Sequence, residues 1–321
     1  VYTKAGDIVL LNLRNSDVVR VTSTEAAESS PRFSPDGQWL AYVRDNDIFA
    51  WSIGEQEEKR LTTDGSDTVM NGTVSWVYWE ELLNRADRGF IWAPDSTSIA
   101  YLQTDDSGVG EMHYVDFEPN LPKLIKQRHP KPGTANPRVR AGIVGLDDGK
   151  TTWVDLGAYP YEYLARIKWL PRSQRLAVLT MNRPQTDVDL FIADAATGAA
   201  MHIMRETDEG WVNIHDDLHF LGDGSEFLWR SERDGYSHLY RFSIDGELRN
   251  QVTRGNWALR PSGGPAGMSQ AVSHIDEDKG LVYFTALEKH STERHLYRVD
   301  LDGSGLERLT QADGVHSVIF S

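Results

Sequence analysis

One phrase returns five times along the chain, a tight turn followed at once by a run of β-forming residues. Ser34-Pro35-Asp36-Gly37 leads into Trp39 through Val43, Ala93-Pro94-Asp95-Ser96 into Ser98 through Leu102, and Leu170-Pro171-Arg172-Ser173 into Arg175 through Leu179. Leu221-Gly222-Asp223-Gly224 before Glu226 through Trp229, and Asp276 through Gly280 before Leu281 through Phe284, are weaker copies. A third β-forming run follows each pair: Asp47 to Trp51, Met112 to Val115, Asp189 to Ile192, His238 to Phe242 and His295 to Val299. A fourth often ends in Thr, as in Arg60-Leu61-Thr62, Gln251-Val252-Thr253 and Arg308-Leu309-Thr310. Each unit therefore reads as a four-stranded meander joined by Pro, Asp and Gly turns.

A single unit of this kind cannot bury both its faces, and radial packing of several is the arrangement that solves the problem. The pattern predicts an all-β protein, a β-propeller of four-stranded blades with about five complete units from a ring of seven or eight. Asp7 to Leu13 and Val18 to Thr22 read as a third and fourth strand, and His316 to Phe320 as a first strand. Residues 1–321 are then a single propeller domain that starts and stops inside blades, as an excised piece of a longer polypeptide would.

Composition excludes several classes of function. With 33 Lys and Arg against 48 Asp and Glu the net charge is −15, which repels phosphate backbones and anionic membranes, so no nucleic-acid partner is expected. No stretch is long and apolar enough for a membrane helix. The absence of Cys removes disulfides, thiolate nucleophiles and Cys-ligated zinc. The ten His are scattered; His238 and His295 recur at one position of consecutive units and read as blade-packing residues. Asp36, Asp95 and Asp223 hold turn positions where a carboxylate accepts backbone N–H groups, and no metal site or cofactor is expected.

One segment breaks the strand rhythm. Trp76-Val77-Tyr78-Trp79-Glu80-Glu81-Leu82-Leu83-Asn84-Arg85 reads as a short helix inserted in a blade, with Ser75 placed to cap it. Taken alone, two adjacent Glu near a helix start are a solvated face that suits the positive end of the dipole. The phrase Trp76 to Glu81, however, resembles the W-V-Y-x-E-E signature of the dipeptidyl peptidase IV family, a branch of the prolyl oligopeptidase clan of serine peptidases. Further phrases agree in order: Asn71-Gly72, Trp92-Ala93-Pro94, Pro130-Lys131-Pro132-Gly133 with Asn136-Pro137, Gly210-Trp211-Val212, Asp234 through His238, and Ser317 through Ser321.

The resemblance implies that Glu80 and Glu81 bind the α-ammonium of a peptide with a free N-terminus. It also implies that residues releasing X-Pro dipeptides sit in a C-terminal α/β-hydrolase domain of the same polypeptide, and that the protein is periplasmic or extracytoplasmic. No G-x-S-x-G nucleophile elbow occurs here, so this chain alone is expected to be inactive. Two departures stand out. The stretch Thr22 to Glu28 lacks the Arg that supports the Glu pair in family members, and Asn213-Ile214-His215-Asp216 replaces an aromatic-basic pair, leaving His215 as a substrate-side candidate. The excursion from Asp105 to Arg140 exceeds an ordinary blade connection and is expected to be an arm for homodimerisation or a surface loop. The alternative to the peptidase reading is a stand-alone TolB-like propeller scaffold that binds protein partners; such a scaffold needs no segment like Trp76 to Glu81.

Overall fold

The structure, a computed structural model, describes residues 1–85, 89–172, 174–261 and 270–320; Ser173 of the third turn phrase and Ser321 of the terminal one lie outside the described residues. It is a β-propeller. Four-stranded antiparallel sheets run over Glu28–Arg60, Tyr163–Thr207, Leu218–Gln251 and Val272–Arg308, each in simple meander order. A sheet between Val69 and Trp153 carries the insertions, and a three-stranded one holds Tyr2–Lys4, Asp7–Leu11 and Val18–Arg20.

The turn phrases work as their residues demand. Gly37 N–H donates to the Ser34 carbonyl at 2.9 Å and Gln38 N–H to Asp36 Oδ1 at 3.0 Å, with Gly37 at φ +70°. Thr97 N–H and Ser225 N–H donate to Asp95 and Asp223 in the same way. These turns set the second strand of each blade against the first.

The recurrent Thr closes the blade's outer hairpin. Thr22, Thr62, Thr253 and Thr310 each accept, on the side-chain oxygen, the backbone N–H of Ile8, Ile48, Leu239 or Leu296 near the start of the third strand. The Thr62 hydroxyl donates to Asp47 Oδ1 at 2.7 Å. In the last two blades a His stands where Asp47 does. His238 Nε2 donates to the Gly255 carbonyl and His295 Nε2 lies 2.9 Å from Glu293, while each Nδ1 hydrogen-bonds the hydroxyl of Thr253 or Thr310. A carboxylate oxygen and an imidazole nitrogen thus take the same place beside the Thr hydroxyl, and both histidines are fully buried blade-packing residues.

Consecutive blades meet at their innermost strands. Trp92 Nε1 donates to the Arg32 carbonyl and Trp169 Nε1 to the Ile91 carbonyl, while buried Asp217 accepts from the backbone N–H groups of Ala271 and Val272. Apolar clusters fill the spaces between sheets, with Leu102, Leu164, Trp169 and Leu176 in one and Leu190, Phe227 and Trp229 in the next.

Three sequence expectations change. Met112 to Val115 is not a third blade strand: it lies in a separate hairpin, Glu111–Asp116 against Lys123–Arg128, and the third strand is Arg138–Gly145. Tyr2–Lys4 adds a strand before Asp7. His316 to Phe320 joins no ladder; Val315 makes one isolated bridge to Arg294, and Phe320 packs on His274 and Tyr283.

Candidate functional site

The helical segment is not inserted between strands but within one. Val69–Asn71 pairs with Gln103 to Asp105, and Phe90–Trp92 pairs with Ile99 to Tyr101 of the same second strand, Ser98–Asp105. The innermost strand of this blade is therefore interrupted, and the excursion leaves from the inner edge of its sheet. Two glycines make its neck. Gly72 N–H donates to the Leu102 carbonyl and Leu102 N–H to the Gly89 carbonyl, at 3.0 and 2.8 Å. A Cβ on Gly89 would lie 2.1 Å from the Gly72 carbonyl oxygen, and Gly72 itself has φ +73°, so both positions require glycine. Buried Asn71 fixes the incoming leg by donating to Asp47 and Asp64.

Beyond the neck, Trp76 and Val77 lead into a π-helical turn over Tyr78–Leu82, in which Leu83 N–H reaches the Tyr78 carbonyl at 2.8 Å. The expected Ser75 cap does not form. Its carbonyl accepts from Trp79 N–H, while its hydroxyl is buried with no partner among the described residues. Tyr78 is the anchor of the turn. It is fully buried among Leu82, Leu102, Leu164 and Trp169, and its hydroxyl accepts the Leu164 N–H of the next blade at 3.1 Å.

With Tyr78 fixed inward, Trp79 and Glu81 are exposed and Glu80 is half-buried. Arg85 forks onto Glu80, Nε donating to Oε2 at 2.8 Å and Nη2 to Oε1, and its guanidinium lies 6.0 Å from the Trp79 ring centroid. This bidentate pairing holds the Glu80 carboxyl below its ordinary value. Asn84 and Arg85 both adopt positive φ, +50° and +60°, which turns the chain so that Arg85 faces back onto Glu80. Five residues separate Arg85 from Glu80 rather than the four of an α-helical pair, so helical spacing gives no sign of this contact in the sequence.

Arg166 meets the far end of the turn. Its Nη1 donates to the Leu82 carbonyl at 2.7 Å and its Nε to Asp216 Oδ1 at 2.6 Å. A cavity of about 230 Å³ opens beside it, lined by Leu83, Ile91, Ala165, Arg166, His215 and Gln270. His215 contributes a buried wall here. Its Nδ1 accepts Asp217 N–H at 3.1 Å, its ring sits edge-on to Trp229, and burial pushes the imidazole down to about 3, so it is neutral. Asn136 donates to Glu162 and to the Tyr163 hydroxyl, and Tyr163 lies against Tyr78, so the Asn136-Pro137 phrase also converges on the excursion. Trp211 of the Gly210-Trp211-Val212 phrase is exposed, on a turn whose N–H groups Asp208 accepts.

The family model for the dipeptidyl peptidase IV (DPP IV) N-terminal region matches residues 2–321. The chain belongs to the dipeptidyl peptidase IV family. Among its relatives, a probable dipeptidyl peptidase 4 of Neosartorya fischeri is 30% identical over 284 residues, covering 84% of this chain and 35% of the relative. The dipeptidyl peptidase 4 of Trichophyton rubrum is 28% identical over 309 residues, covering 91% of this chain and 38% of the relative. The crystal structure of Porphyromonas gingivalis dipeptidyl peptidase 4 superposes with a TM-score of 0.84 at 26% identity, over 96% of this chain and 42% of that one. The chain thus spans well under half the length of these relatives, and corresponds to the N-terminal domain of a dipeptidyl peptidase IV.

Proposed function

We propose that this propeller gates and anchors substrate for a serine dipeptidyl peptidase that releases X-Pro dipeptides, with Glu80 and Glu81 holding the free α-ammonium of the peptide. In this reading the nucleophile belongs to a C-terminal α/β-hydrolase domain of the same polypeptide. The observation that carries it is the placement of the pair on an excursion that interrupts the innermost strand of a blade, on a turn tied down by buried Tyr78.

A peptide's amino terminus brings three N–H donors and a positive charge, whereas a mid-chain amide offers one donor and none. At about 4 Å and an effective dielectric near 20, one ammonium–carboxylate contact contributes about 4 kcal/mol before desolvation is subtracted. Arg85 already offsets part of the Glu80 charge, which lowers the repulsion between neighbouring carboxylates in the empty site. An amino terminus held at a fixed place sets the distance to a nucleophile elsewhere, so the second peptide bond is the one presented for attack.

Glu80→Ala and Glu81→Ala in the full-length polypeptide are expected to lower kcat/KM on a Gly-Pro chromogenic substrate by about two orders of magnitude each, as loss of a positioning contact does, with thermal unfolding unchanged. Wild-type kinetics in both variants would return the pair to a solvated helix face.

A second surface concerns the partner. The Glu111–Asp116 and Lys123–Arg128 hairpin displays Phe117, Leu121 and Leu124 to solvent, at 76%, 81% and 60% exposure. This apolar tip supports the reading of the 105–140 arm as a contact with a second copy of the chain.

A further inference from the structure

Arg166 occupies the innermost strand Tyr163–Trp169 immediately after an irregularity in its pairing. Leu164 opposes Thr180 and Arg166 opposes the next residue back, Leu179, so Ala165 is an extra residue in the strand. A bulge of this kind re-aims the side chain that follows it. Here it brings the guanidinium to the Leu82 carbonyl at 2.7 Å, where the π-helical turn ends. That carbonyl belongs to the last turn and has no further helical N–H to accept, and a cation at this end also complements the turn's dipole. Asp216, on the segment leading into the Leu218–Gln251 sheet, holds the other side of the guanidinium at 2.6 Å. The Asp216 side chain is buried and that of Arg166 largely so, at 6% and 11% exposure.

Burying such a pair is a poor way to gain stability, because desolvation cancels most of the attraction and apolar residues of like volume often serve as well. What an apolar residue cannot do is fix the direction of the Leu82 carbonyl. Tyr78 pins the start of the turn to the strand Tyr163–Trp169, Arg166 pins its end to the same strand, and Glu80 and Glu81 lie between the two attachments.

We propose that Arg166, itself held by Asp216, is the positioning residue for the Glu80–Glu81 pair. This rests on the reading of that pair as the substrate anchor. Arg166 touches no substrate; it sets the pitch of the turn on which the carboxylates are carried. Displacing reacting groups by about 1 Å can cost about 100-fold in rate, so loss of the attachment is felt in turnover out of proportion to stability.

The test is a double-mutant cycle in the full-length polypeptide, with kcat and KM measured on Gly-Pro-p-nitroanilide and Tm recorded for every variant. Arg166→Met is expected to lower kcat/KM about 10- to 100-fold in the wild-type background and to add little once Glu80→Ala and Glu81→Ala are both present, because it acts through that pair. Arg166→Lys, which keeps one donor for Leu82, recovers part of the loss. Asp216→Asn acts in the same direction by a smaller factor, and decides the question through the same cycle if Arg166→Met does not fold. Equal fold-losses from the Arg166 or Asp216 variant with and without the Glu80–Glu81 pair would overturn the positioning role, as would wild-type kcat/KM in Arg166→Met. Wild-type kinetics in both Glu80→Ala and Glu81→Ala would instead remove the anchor reading on which the proposal rests.

Discussion

Replacing Tyr78 by Phe removes one oxygen from the interior and leaves the ring where it is. The hydroxyl accepts Leu164 N–H at 3.1 Å, both residues are buried, and Leu164 lies beside the bulge at Ala165, where the ladder is irregular. The variant leaves that N–H without its acceptor in an apolar cluster, so the expected loss is the desolvation cost of one buried donor, about 1–3 kcal/mol. Tyr78→Ala adds the cavity left by the ring and is expected to reach about 3–5 kcal/mol or more. Urea denaturation followed by tryptophan fluorescence reads both, since Trp169 lies in the same cluster. The midpoint should fall in the order wild type, Phe, Ala with the slope unchanged. A Phe variant within about 0.5 kcal/mol of wild type, the range of an ordinary surface substitution, would refute the claim that this hydrogen bond moors the excursion.

Two further outcomes are expected. His215 is neutral when folded and titrates near its ordinary value of 6.5 when unfolded. The unfolded chain therefore binds the additional proton, and this group's contribution to stability is full above about pH 6.5 and is lost as pH falls toward 3, at up to about 1.4 kcal/mol per pH unit. Urea midpoints at pH 7 and pH 5 should move closer together in His215→Leu than in wild type; an unaltered gap would contradict the assignment of a buried neutral imidazole. For the arm, Phe117→Ser with Leu121→Ser should shift sedimentation from dimer to monomer at micromolar concentration, and an unshifted dimer would exclude the hairpin tip as the contact.

The blades were readable because their turns are local. Ser34, Asp36 and Gly37 act on atoms two to five residues away, so their spacing carries the whole signal. The same holds for Thr62 and its partners across one hairpin. Met112 to Val115 misled because β-propensity cannot distinguish a blade strand from a protruding hairpin, and Tyr2–Lys4 is too short and exposed to leave a pattern. Only the neighbours in the Trp76 to Glu81 phrase single out Glu80 and Glu81 as candidates. Arg85 was hidden by the wide turn, which makes residues five apart into neighbours. Arg166 was hidden by distance, since its partners lie 84 and 50 residues away and nothing local marks it.

Among the described residues, the Thr that closes each clamped hairpin lies 14 residues after the N–H it accepts in all four blades that use it. That constancy makes the third and fourth strands with their connecting turn a module of fixed length. One residue added between Ile48 and Thr62 would separate the hydroxyl from its donor and turn the following side chains to the wrong face. The helical excursion and the arm both fall elsewhere, in the blade between Val69 and Trp153 and ahead of its last hairpin. New loops grafted onto this scaffold should be accepted at those two doorways and rejected in the clamped hairpins, which divides the ring into segments free to diverge and segments held to a ruler.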